Sequence, residues 1–284
     1  MKRLVFILWL CALLPGPAAA GWWAENDYGT GSNGFKKDSL TVFTDLTRGM
    51  LAGAGGAFYR DTAGYREKVY SFRLPVLYTA KKHIYSLTPF LYPVSPAARS
   101  GAKGFRAYVQ TSLTEPGSEN YFYLTGAAAL AGQTAKLAGL PGRKNFTETA
   151  LEVQAEKSYY GQFYLLASLA AFSKSGAATN GNLVTPALDH SEMAYLGTFR
   201  QITALPDWVA TAQITRNMKP EYASHLYIGY SKISFRQAPG ANSVIGGMKL
   251  ELSPRTTLDL AYNFFKMEDA TCKNYYKILL RTVF

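Results

Sequence analysis

Cysteines, histidines and long apolar runs are all scarce in this 284-residue chain, and each scarcity closes off a class of protein. Cys11 and Cys272 are its two cysteines, and only Cys272 follows residue 20. A mature chain starting there forms no intrachain disulfide, whereas exported soluble domains often rely on such staples. The three histidines, His83, His190 and His225, sit in separate segments with no HExxH. A metal centre needs clustered ligands, so no metal site is expected. Gly53-Ala54-Gly55-Gly56 has Phe58 where a dinucleotide fingerprint needs its third glycine, and no Lys-Ser/Thr follows. No cofactor is therefore expected. Beyond residue 20 the best apolar run is 163–172, half of the roughly 20 residues a spanning helix requires.

Charge of one sign is not scarce: the formal net charge is +11, of which Lys2 and Arg3 contribute two. The cations are scattered, as in Lys36-Lys37, Lys81-Lys82, Arg143-Lys144 and Lys273, with no basic stripe interleaved with aromatic residues. That distribution argues against nucleic acid as a partner.

The two ends carry the strongest patterns. Lys2 and Arg3 precede an apolar stretch at 4–14, and Ala18-Ala19-Ala20 offers a small-residue cleavage site before Gly21. This is the layout of a secretory signal peptide over 1–20. At the other end Tyr276, Ile278, Leu280, Thr282 and Phe284 share one face of a period-two pattern, with Lys277 and Arg281 on the opposite face. Such a stretch is a strand with one apolar and one wet face. In an exported bacterial chain it resembles the terminal strand by which outer-membrane β-barrels are recognised for assembly. The resemblance implies the bacterial outer membrane as location. It also implies lipid, lipopolysaccharide, the barrel assembly machinery and small solutes as partners.

Alternation recurs between the ends. Phe72, Leu74, Val76 and Tyr78 alternate with Ser71, Arg73, Pro75 and Leu77, and Phe105, Ala107 and Val109 alternate with Arg106, Tyr108 and Gln110. Leu151 and Val153 oppose Glu152, Gln154 and Glu156; Met248, Leu250 and Leu252 oppose Lys249 and Glu251; Leu258, Leu260 and Tyr262 oppose Asp259 and Asn263. Turn signals divide the chain into fourteen segments near 39–47, 50–60, 69–79, 83–92, 104–113, 121–132, 148–156, 160–172, 192–203, 207–217, 224–236, 242–252, 256–267 and 274–284. The expected fold is all-β: a transmembrane, antiparallel, up-and-down barrel of about 14 strands over 39–284, with residues 21–38 a flexible amino-terminal segment. Leaving out the glycine-rich hairpin at 39–60 gives twelve strands instead. The alanine-rich stretch 126–140 is equally readable as a short helix. Through 204–255 the short turns do not all fall on one side, which marks a miscounted segment. Tyr92, Tyr123, Trp208, Tyr262 and Tyr276 suit interfacial girdles.

Catalytic groups do not assemble. Asp189-His190-Ser191 offers acid, base and nucleophile, but neighbouring residues of a strand point to opposite faces. Glu25-Asn26-Asp27 resembles the opening motif of lipid A 3-O-deacylases, without the Tyr-Thr-x-Gly segment that follows it there. An enzyme is not expected. The polar strand faces carry Arg73, Arg106, Lys249, Lys277 and Arg281 against Glu152, Glu156, Glu251 and Asp259. These nine are the candidate pore-lining residues. The expected function is a narrow, porin-like channel for small, preferentially anionic solutes, with a closed structural barrel, an adhesin or receptor, or a lipid A-modifying barrel enzyme as the alternatives.

Overall fold

A computed structural model describes residues 21–61, 65–94, 100–115, 118–173, 183, 188–202, 204–218, 224–269 and 272–284; the signal-like stretch 1–20 lies outside the described residues. Fifteen strands form one antiparallel sheet: β1 (Trp22–Gly31), β2 (Phe35–Thr47), β3 (Met50–Asp61), β4 (Tyr65–Arg73), β5 (Val76–Ala80), β6 (His83–Tyr92), β7 (Gly101–Ser112), β8 (Phe122–Lys136), β9 (Arg143–Tyr159), β10 (Phe163–Phe172), β11 (Pro206–Asn217), β12 (His225–Phe235), β13 (Ala241–Ser253), β14 (Thr256–Met267) and β15 (Lys273–Val283). Apart from β4 and β5, each strand pairs with its sequence neighbours, and β1 also pairs with β15, so the sheet closes. Closure leaves no free edge strand to recruit other chains.

Two short strands share one place in the wall. β4 and β5 both lie between β3 and β6, with Gly55 opposite Arg73 and Ala52 opposite Val76. The interruption falls at Leu74-Pro75, where proline has no N–H to give to the ladder. Hydrogen bonds still bridge the gap, from Gly53 N to Pro75 O at 2.7 Å and from Leu74 N to Pro89 O at 3.0 Å. The result is a barrel of fourteen strand positions, the count expected from the sequence.

Two compensating differences lie behind that count. The stretch 192–203 is not a strand in its described residues: a one-turn 3-10 segment (His190–Glu192) leads into irregular chain. Its residues alternate poorly, since Met193, Ala194, Leu196 and Ile202 are all buried. Conversely, 21–38 is not a loose segment. Trp22–Gly31 is a full strand hydrogen-bonded on both sides, from Trp23 opposite Val283 to Gly31 opposite Tyr275. With one strand removed and one added, both described ends fall at one end of the barrel and every connection alternates sides. The inconsistency through 204–255 thereby disappears. The alanine-rich stretch is strand β8, not helix.

Register assigns faces. Tyr276, Ile278 and Leu280 point outward and are exposed, as are Phe72, Leu151, Val153, Ile228 and Tyr262. The opposite face is the interior, where Tyr59, Phe90, Ala131, Ile233, Phe265 and Tyr275 are buried. Trp208, Tyr262 and Tyr276 stand on the outside as girdle residues would. Tyr92 does not: it is buried inside, against Phe90 and Tyr59. Tyr123 pairs with Glu156 in register and shares its inward face, so it too departs from the girdle.

Candidate functional site

The interior is divided by residues 188–202, which connect β10 to β11 by folding into the lumen. Leu188, Met193, Ala194 and Leu196 join the buried cluster that includes Ala129, Ala131, Ala150 and Ala170 of β8, β9 and β10. Small side chains on that wall leave the depth that this segment fills. Burying a leucine or methionine side chain is worth about 1.5–3 kcal/mol, so the apolar contacts alone favour the in-folded position.

Polar anchors fix it on several sides. Glu152 of β9 accepts from Tyr195 N at 3.4 Å and pairs with Arg106 of β7 at 2.6 Å. Glu148, fully buried, lies 3.1 Å from His190 Nε2 and accepts from Gln133 Nε2 at 2.7 Å, with Arg236 4.0 Å away. Across the lumen, Asn263 of β14 accepts from Thr198 Oγ1 at 3.0 Å and Phe199 N at 3.1 Å. Ser243 of β13 donates to Gly197 O at 2.6 Å. Gly197 has φ +57 and passes so close to β12 that a Cβ there would overlap Ser231 Oγ. Only glycine meets both demands. Asp189 accepts from Ser191 N at 3.1 Å, which caps the 3-10 turn.

Beside this segment lies a chamber of about 430 Å³. Its charged side is built by β14, β15, β1 and β2. Asp259 accepts from Tyr227 Oη at 2.7 Å and from Lys277 Nζ at 2.9 Å, and Lys277 also lies 5.3 Å from the centre of the Phe199 ring. Next round the wall, Lys37 is 3.1 Å from Asp27. Glycines make the room: a Cβ on Gly247 would collide with the Tyr227 ring, and one on Gly55 would meet Thr41 Oγ1, to which Arg73 Nη2 donates at 2.8 Å. Close packing therefore accounts for Gly53 and Gly55 of the first hairpin.

The nine residues singled out from the sequence fall into place as follows. Arg73 reaches Glu192 of the in-folded segment at 4.0 Å, Arg106 pairs with Glu152, and Lys277 pairs with Asp259. Arg281 lies 3.9 Å from Glu25 and stacks on Trp23 at 3.9 Å. Glu156 accepts from Tyr121 Oη near the end that carries the termini. Lys249 stands opposite Asp259 and Glu251 opposite Thr257, on the same inward face. The structure thus joins three of these residues to partners outside the nine: Glu25, Glu192 and Tyr121. Asp27, Lys37, Asp189, Tyr195 and Tyr227 were missed as site residues as well. Asp27 and Lys37 carried only a weak signal, because 22–31 alternates with little apolar contrast on its outer face. Tyr195 and Asp189 had none, since their roles depend on how an irregular segment folds.

Two titratable groups of the in-folded segment shift clearly, Glu192 and Tyr195, and burial raises the pKa of both. Burial pushes the Glu192 carboxyl above the ordinary value of 4.5, against the attraction of Arg73, Lys37 and Arg106, while Asp189 adds to the upward push. Among the described residues no group of three or more histidine, cysteine or acidic side chains forms a metal site. Glu25 and Asp27, the acids of the deacylase-like triplet, point inward and are engaged by Arg281 and Lys37, while Asn26 donates to Asp38 and Ser39 O.

No protein-family model matches the chain, and no curated protein matches it. Solved structures do. CdiB from Acinetobacter baumannii aligns with a TM-score of 0.50 at 9% identity, over 94% of this chain and 60% of that one. The Pseudomonas putida toluene transporter TodX aligns at 0.49 and 11% identity, over 94% and 89%. Pseudomonas aeruginosa OccK11 (OpdR) aligns at 0.46 and 7%, over 93% and 95%. Identities this low speak to fold alone, and the fold this chain shares is the closed β-barrel.

Proposed function

We propose that the chain is a bacterial outer-membrane channel, narrowed by its own in-folded segment, for small polar solutes. The observation that carries this reading is the coexistence of a polar chamber inside the barrel with an apolar belt outside it. Leu87, Phe105, Val109, Leu151, Leu169, Ile214, Ile228, Ile278 and Leu280 are all exposed on the outer face. A soluble monomer rarely exposes an apolar patch beyond a few hundred Å², whereas lipid covers such a belt. A closed barrel also satisfies its backbone internally, which lipid requires.

The inward ion pairs bear on selectivity. The expected preference for anions came from five cations set against four anions. Glu192 and Glu25 now stand beside Arg73 and Arg281 as partners and offset the excess, while Lys37 and Asp27 add one charge of each sign. Ion selectivity is therefore weak, and the nine wall residues singled out from the sequence line the path.

The test is reconstitution of the full chain into planar bilayers, with folding checked by heat-modifiable gel mobility. Discrete conductance steps are expected. Folded protein that conducts nothing would replace the channel with a closed structural barrel. Location is tested separately by fractionation: recovery of the folded chain as a soluble periplasmic species would overturn the membrane assignment.

A further inference from the structure

We infer that the chamber recognises small, uncharged, polyhydroxylated solutes, such as monosaccharides and linear polyols, as they cross; this rests on the channel reading above. The chamber's cations are already matched: Lys37 to Asp27 at 3.1 Å, Lys277 to Asp259 at 2.9 Å and Arg106 to Glu152 at 2.6 Å. Asp189, the remaining acid of the lining, accepts from Ser191 N. An anionic solute would give up water in a narrow space and meet only cations that are already engaged. Taking one for itself would strand the partner, a costly outcome for a buried pair.

The uncharged lining offers the complementary chemistry. Ser191, Tyr195 and Gln213 present hydroxyl and amide groups of both senses, while the Tyr227 and Thr198 hydroxyls, whose protons go to Asp259 and Asn263, offer acceptor lone pairs. Tyr195 Oη and Gln213 Oε1 are 3.4 Å apart, a weak contact that a solute hydroxyl replaces easily. A sugar or polyol carries donors and acceptors in nearly equal number, which suits a wall with both senses. Phe199 and the two tyrosine rings add flat apolar surface for the C–H face of a sugar ring. The chamber volume of about 430 Å³ lies within the range of small-ligand sites, and the arrangement of apolar faces with a few convergent polar groups is their usual form.

The experiment uses the full chain in planar bilayers, with glucose, a carboxylate anion of similar size and a zwitterionic amino acid each added to one side. Glucose should interrupt the ion current at lower concentration than the other two. Tyr195→Phe and Gln213→Leu should each weaken the glucose block roughly two- to tenfold, the equivalent of one neutral hydrogen bond. Liposome swelling with the unaltered protein gives an independent reading, in which glucose should enter faster than the anion. Equal or stronger block by the anion, or a glucose block unchanged in both variants, would overturn this inference while leaving the channel intact. No conductance at all from folded protein would remove the channel reading and this inference with it.

Discussion

Two stretches of the barrel wall have the same strand geometry and opposite interiors. On β8, β9 and β10 the inward positions include Ala129, Ala131, Ala150 and Ala170, and the in-folded segment lies directly on them. On β14, β15, β1 and β2 the inward positions include Asp259, Lys277, Asp27 and Lys37, and an open chamber faces them. Both regions alternate with a period of two and both hide one face from the exterior. What differs is the size and charge of most inward side chains; Glu148 and Glu152 of β9 are the charged exceptions on the alanine wall, and both hold the in-folded segment. Small apolar residues invite protein to fill the space, because a void there would forfeit contact on every side. Paired ions at the edge of a chamber keep it polar, because dehydrating them fully would cost more than their attraction returns.

The comparison breaks most directly if the alanine wall is enlarged. Ala131→Leu and Ala150→Leu place a bulky side chain where residues 188–196 now pack, and overpacking a filled interior costs about 1–3 kcal/mol. The expected result is eviction of the segment and a conductance several-fold above that of the unaltered chain, with lower thermal stability. Ala128→Leu, one residue away but on the exposed outer face, should change neither. Equal conductance in all three variants would mean that the segment does not narrow the path. A related disturbance is Gly197→Ala, which meets both the positive φ and the Ser231 hydroxyl.

The charged wall is probed by reversing its cations. Lys277→Glu together with Arg281→Glu sets like charges against Asp259 and Glu25 in place of ion pairs. The reversal potential under a salt gradient should move toward cation selectivity while the barrel still assembles, because lumen substitutions mainly tune selectivity. An unchanged reversal potential would show that ions do not pass this wall.

These contrasts also show what the sequence made legible. The barrel could be read because period-two alternation is local: Leu151-Glu152-Val153 states its two faces without reference to any other strand. The strand at Trp22–Gly31 was hidden because Asn26 and Tyr28 give its outer face little apolar contrast, and a glycine-rich, polar composition resembles a mobile segment. The in-folded segment was hidden for a different reason. Met193, Ala194, Leu196 and Ile202 are buried by long-range packing against the alanine wall, and no period within 188–202 announces it. A signal did exist at a distance, in the unusual run of small residues on the inward face of β8. Candidate wall residues were found by phase, whereas their partners Glu192 and Tyr121, which lie outside the strands, were not.

A subtler probe asks whether the seam resembles the rest of the wall. Trp22 and Phe284 stack with ring centres 3.8 Å apart, and Phe284 N donates to Trp22 O at 2.8 Å, where β1 meets β15. Phe284→Ala removes the stack and keeps the backbone bond. An aromatic pair adds about 0.5–1.5 kcal/mol beyond its buried area, so a modest fall in the temperature at which the folded band converts on a gel is expected. No change would mean that the seam is held by its ladder alone.

The smallest expected effect concerns the boundary between the two regions, where Glu192 of the in-folded segment faces Arg73, Lys37 and Arg106 beside Asp189. Its folded-state pKa is shifted upward because burial outweighs the cations. For a group with a raised folded pKa, the stability it contributes is complete below the unfolded value and is lost as pH rises through the folded one. Glu192 therefore favours the in-folded state slightly more in acid than at neutrality. Other carboxylates titrate in the same window, so the readout is a difference: thermal stability of the unaltered chain minus that of Glu192→Gln, followed from about pH 4 to 7. The difference should decline with rising pH, since glutamine carries no charge to be buried. A difference that grew with pH would mean that the Arg73 ion pair dominates over burial, and that the charged wall, not the alanine wall, is what holds this end of the segment in place.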